Sequence, residues 1–258
     1  MRKNAHHPSN CGFTLVELLV VIVIIATLAA LGFQGYRAAR MRANQAASTA
    51  NLRQLAAANL LYAADHQTYC PTDLDGHNLV RWHGARTSIT GKFDPTKGLL
   101  SEYLGDSRSV GICPEFKEDL TGSESWEDGS GGYGYNTIYI GGLPEDLNRP
   151  NRPASVNNPA RTLMFATTAI AKAGGLQQYA SADPPKEVYA SWRLGGAMQP
   201  SVHFRFNGRA LIAWCDGHVS EERSQGKAEK NVYGGDNELG KMGFCGPAEN
   251  NGWWNPRN

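Results

Sequence analysis

Charge is missing from Leu18 to Tyr36, a span of 19 positions. A run of that length matches the ~20 apolar residues that cross a bilayer as a helix. It is too long for the short apolar core of an ordinary secretory signal, and no small-x-small cleavage site follows it. Glycine and proline are missing from Tyr36 to Cys70, where eleven residues are alanine. Helix is therefore expected to continue out of the apolar run and to end near His66, before Pro71. A basic excess is also missing: Lys+Arg 25 against Asp+Glu 24 gives a net charge of +1. The composition thus points to no nucleic-acid partner. No Gly-x-Ser-x-Gly, His-Glu-x-x-His or phosphate loop occurs, and the 7 histidines are scattered. These gaps argue against an enzyme and indicate no cofactor.

What is present starts with one carboxylate. Glu17 stands at the edge of the uncharged run, within Gly12-Phe13-Thr14-Leu15-Val16-Glu17. An ionisable group so placed is unfavourable in lipid unless something pairs with it. Past the run, Leu52, Leu55, Asn59 and Tyr62 recur at helical spacing beside Ala56 and Ala63. They form a stripe that faces a globular domain, with Arg53, Gln54 and Asp65 on the outer face. Gly32 and Gly35 mark a place where the helix can bend.

The N-terminal segment resembles type IV pilins and type II secretion pseudopilins. Their signature is a short basic leader, a glycine, then Phe-Thr-Leu-x-Glu and an apolar helix. The resemblance implies a leader at 1–12, with Arg2 and Lys3 as its cations. It implies that a prepilin peptidase cuts between Gly12 and Phe13 and methylates the new Phe13 amine. It also implies that Glu17 pairs with the N-terminal amine of a neighbouring subunit during filament assembly. The other partners implied are further pilin or pseudopilin subunits and the inner membrane, crossed once, with the globular part periplasmic. Charge alone would orient the helix otherwise, because Arg37, Arg40 and Arg42 follow the run. The resemblance, being the more specific signal, sets the orientation.

The expected fold is α+β: a long N-terminal helix at 13–65, membrane-spanning in its first half, packed on an antiparallel β-sheet domain at 66–258. Glycine, proline and asparagine clusters make 71–160 loop-rich, with strand composition at Tyr133–Ile140 and Thr162–Thr167. The clearest hairpin signal is Val202–Phe206, then Asn207-Gly208, then Arg209–Trp214. Asp216-Gly217 turns the chain again into His218-Val219, so a three-stranded meander is expected. The tail after Glu221 is polar, rich in glycine and expected to be irregular. This region resembles pilin-like proteins marked by His-x9-Asp-Gly near the C-terminus. Phe206 fills the position of that histidine, so a role for an imidazole there does not carry over.

Cleavage after Gly12 would remove Cys11. Cys70, Cys113, Cys215 and Cys245 remain in the exported part, where disulfides persist, and are candidates for three alternative pairings. No C-x2-C spacing favours zinc. A metal set from His203, Cys215, Asp216 and His218, and a calcium loop at Asp73–Asn78, are both weaker readings than turn chemistry. The sequence therefore reads as a structural filament subunit. The alternative is a membrane-anchored module that binds a glycan or another surface ligand, to which Trp82, Trp126, Trp253 or Trp254 could contribute a stacking ring.

Overall fold

Helix α1 runs unbroken over Leu15–His66, through Gly32 and Gly35. The computed structural model describes residues 14–74, 76–116, 128–142, 149–186, 199–226 and 231–258. Two units are distinguished, Met1–Ala43 and Asn44–Asn258, and the division falls inside the helix.

In the first unit the described helix leaves its apolar side chains uncovered. Leu19, Ile22 and Ile25 are all more than half exposed. Thr27 spends its hydroxyl on the Ile24 carbonyl, 2.8 Å away, so it brings no free polar group to the run. The stretch is long and apolar enough to cross a membrane.

In the second unit the rest of α1 packs as its stripe predicts. Leu52, Leu55, Ala56, Asn59 and Ala63 are buried, while Arg53, Gln54 and Asp65 are exposed. Its polar positions are used as clamps. Asn51 donates to the Gly111 carbonyl at 2.9 Å and to the Tyr133 hydroxyl at 3.0 Å. The buried Asn59 accepts from the Cys70 backbone at 2.8 Å, closing the chain as it leaves the helix.

The short strands follow in chain order: β1 Val80–Arg81, β2 Gly84–Ala85, β3 Tyr133–Tyr135, β4 Leu163–Thr167, β5 Ile170–Lys172, β6 Gly175–Gln177, β7 Val202–His203, β8 Arg209–Trp214, β9 Val219–Arg223 and β10 Met242–Gly243. The main sheet has the order β3-β4-β8-β9 and is antiparallel throughout. The pairs β1–β2, β5–β6 and β7–β10 are separate antiparallel ribbons. All five residues of β4 are buried, as befits a central strand.

Three sequence expectations change. Strand β3 stops at Tyr135 because Asn136 folds the chain into a turn, its carbonyl accepting from Ile140 and Gly141. The meander loses its first member: Asn207-Gly208 makes the turn, but β7 pairs with β10, and β4 occupies the place beside β8. The tail is mostly irregular yet not peripheral, since Trp254 and Cys245 lie fully buried beside Leu163, Ile212 and Trp214.

Candidate functional site

The residue that carries the N-terminal signal, Glu17, lies in the first turn of α1. Thr14 precedes the helix and meets Glu17 reciprocally. The Thr14 amide and hydroxyl donate to Glu17 Oε2 at 2.9 and 2.7 Å, and the Glu17 amide donates to Thr14 Oγ1 at 3.3 Å. This is a capping box, in which a threonine and a glutamate three residues later satisfy each other's backbone donors. Its carboxylate sits where helix termini favour negative charge. Glu17 therefore already has a local partner within its own chain. The Thr-x-x-Glu spacing before an apolar run was readable in the sequence and is the signal that points to Thr14. Gly12 and Phe13, with the rest of the leader and Cys11, lie outside the described residues.

The four candidate cysteines are each described without a bridge. Cys70, Cys113, Cys215 and Cys245 are free and buried. Each sulfur has its own surroundings. Cys113 Sγ meets Ser48 Oγ on α1 at 3.1 Å. Cys70 Sγ lies 3.4 Å from the Pro71 carbonyl. Cys245 is enclosed by the core around Trp254. Burial pushes the Cys215 thiol up to about 12, and it drives Cys70 and Cys245 upward as well. Such thiols are inert at neutral pH.

The turn expected at Asn207-Gly208 forms. Phe206 and Arg209 exchange two backbone bonds of 3.0 Å around Asn207 and Gly208, whose φ values are 51° and 76°. That is the geometry of a type I′ turn. Phe206 is buried, so the position serves packing. Arg205 is buried too. Its guanidinium donates to the Thr168 and Gly132 carbonyls at 2.6 and 3.2 Å and lies over the Phe116 ring. Asp216 accepts from the His218 amide at 3.1 Å and sits 2.6 Å from its Nδ1, which shapes the second turn.

His203 belongs to β7, which pairs with β10, whereas Asp216 and His218 lie in the turn between β8 and β9. Among the described residues no three histidine, cysteine, aspartate or glutamate side chains converge. Asp73 caps a turn by accepting from the Asn78 amide at 2.5 Å, and Asp75 lies outside the described residues. Of the four tryptophans named above as stacking candidates, Trp82 and Trp254 are core residues that donate to the Ala180 and Ala182 carbonyls, both at 2.9 Å. Trp126 lies outside the described residues. Trp253 is half-buried and lines a cleft.

Comparison with curated proteins finds no match, and comparison with solved structures finds none. Residues 8–33 match the prokaryotic N-terminal methylation motif, a stretch that contains Glu17, its Thr14 cap and most of the apolar run. The match supports a type IV pilin-like chain processed at its N-terminus.

Proposed function

We infer that this chain is a structural subunit of a filament, a pilin or pseudopilin of a type IV pilus or a type II secretion system. The observation that carries this reading is the methylation motif at 8–33, overlying an uncovered apolar helix with Glu17 in its first turn. The helix holds the subunit in the inner membrane, and the globular unit lies on the periplasmic side. A prepilin peptidase cuts after Gly12 and methylates Phe13.

The capping box gives each stage its electrostatics. While the subunit is stored in the membrane, Thr14 shares the Glu17 charge and lessens the penalty of a bare charge at the membrane edge, which is smaller than the ~2.5–3.5 kcal/mol of a central position. Cleavage creates a cationic amine at Phe13, next to Thr14. In the filament the amine of an adjacent subunit reaches Glu17. Desolvation there makes the pair sensitive to register, which favours one packing over others.

The test is mass spectrometry of chain recovered from membranes containing an active prepilin peptidase. The expected product begins at Phe13 and carries one added methyl. An intact Met1 terminus would defeat the reading.

A further inference from the structure

The C-terminal segment folds back on the globular unit and leaves a cleft of about 490 Å³. That volume lies within the range of small-molecule sites. The frame of the cleft is held by its own amides. Asn258 donates to the Gly252 and Asn250 carbonyls at 2.8 and 3.3 Å, and Asn255 donates to the Asn250 carbonyl at 3.2 Å. Two non-glycine residues in succession, Asn250 and Asn251, take left-handed backbone with φ of 48° and 57°. Neighbours hold the second of them, since Asn251 donates to the Tyr139 hydroxyl and accepts from the Lys186 amide. Over-determined strain of this kind clusters at ligand sites.

Three polar side chains line the cleft without a hydrogen bond or ion pair to any described residue: the Asn158 amide, the Arg161 guanidinium and the Glu249 carboxylate. They share it with the half-buried Trp253. That ring is fixed on its inner side. It lies so close on Gly246 that a Cβ there would come within 2.4 Å of it, and it packs edge-to-face with Trp214 at 5.2 Å between ring centroids. The ring is thus a rigid apolar surface.

The combination selects among ligand chemistries. An anion would gain from Arg161 and be repelled by Glu249, and a cation the reverse. A wholly apolar ligand would strip water from both charges with nothing in return. Hydroxyl groups both donate and accept, and so match an amide, a guanidinium and a carboxylate together. A sugar ring adds an apolar face that an aromatic plane can cover. We propose that this cleft binds a neutral saccharide, with a pyranose face on Trp253 and its hydroxyls on Asn158, Arg161 and Glu249. The proposal is independent of filament assembly.

The test uses the full chain in a detergent without a sugar headgroup. Calorimetric titration is run with tetrasaccharides of β-1,4-glucose, β-1,4-N-acetylglucosamine, β-1,4-xylose and α-1,4-glucose. At least one binds with a Kd between about 10 μM and 1 mM. Asn158→Ala and Arg161→Ala each weaken it at least about tenfold, and neither shifts the thermal midpoint, because both positions are exposed. Trp253→Phe retains part of the affinity and Trp253→Ala loses it. Absence of binding by all four sugars overturns the proposal, as does binding that is unchanged in both exposed variants. A tetrapeptide with a free carboxylate is run beside them, and its binding in place of the sugars overturns the assignment to a saccharide.

Discussion

Thr14 holds the Glu17 carboxylate locally, and the proposed assembly role asks the same carboxylate to meet an amine of a neighbouring subunit. Glu17→Ala is expected to leave the globular unit folded while lowering co-sedimentation with sheared filaments, and Glu17→Asp to be intermediate because it reaches less far. Thr14→Val removes the hydroxyl but keeps the amide donor, so it should lose capping worth about 1 kcal/mol and retain most assembly. Wild-type incorporation by Glu17→Ala would remove the assembly role. The cysteines give a second prediction at this scale. Denatured mature chain should show four reactive thiols, from Cys70, Cys113, Cys215 and Cys245, and the native chain should resist iodoacetamide at pH 7.5. Fewer than four in freshly denatured protein would mean that a pair is oxidised. The Thr-x-x-Glu box was legible from spacing alone. The free state of the four thiols was not, because a cysteine count carries no information on which packed environment each thiol enters.

At the scale of elements, two glycines separate backbone strain from packing. Gly208 has a φ of 76° and open space around it, so Gly208→Ala acts through conformation alone and should lower stability by about 1–2 kcal/mol. Gly134 has ordinary φ, but a Cβ there would come 2.5 Å from Thr168 and 2.7 Å from the Ser181 backbone. Gly134→Ala should therefore be the more damaging, with overpacking of about 1–3 kcal/mol joined to disruption of β3. Urea titration of both variants orders them, and the reverse order would contradict the tight approach at β3. The sequence announced the turn at Asn207-Gly208 and the buried run of β4. It did not announce that β4 inserts beside β8, since pairing partners are set by contacts far apart in the chain. Phe165 opposite Ala213 is such a contact. The helix stripe was legible because its period is local.

For the whole molecule, two buried histidines set the response to acid. Burial, with Arg205 and Lys241 adding to it, holds His203 down to about 2. Burial and the nearby Arg81 and Arg86 hold His83 well below its usual value. The unfolded chain protonates these rings near pH 6.5, whereas the folded chain does not. The stability they contribute is therefore complete above pH 6.5 and is lost as pH falls toward the folded values, at up to about 1.4 kcal/mol per pH unit for each ring. Asp94 and Asp216 are shifted below the usual carboxylate range, so their loss comes only at lower pH. The urea midpoint should fall between pH 7 and pH 5, and His203→Asn should flatten that fall by about half. A midpoint that does not move would contradict the buried neutral rings. The position of Asn136 has a consequence of another kind. Its amide donates to the Leu163 and Trp254 carbonyls, both at 2.9 Å, and so ties the turn after β3 to a residue 118 positions further along the chain. A chain emerging N-terminus first holds this keystone without its last partner for the 118 residues that separate Asn136 from Trp254. The core then closes only once Trp254 has emerged, and a nascent chain stalled before Trp254 should be cut by protease where one stalled well beyond it resists.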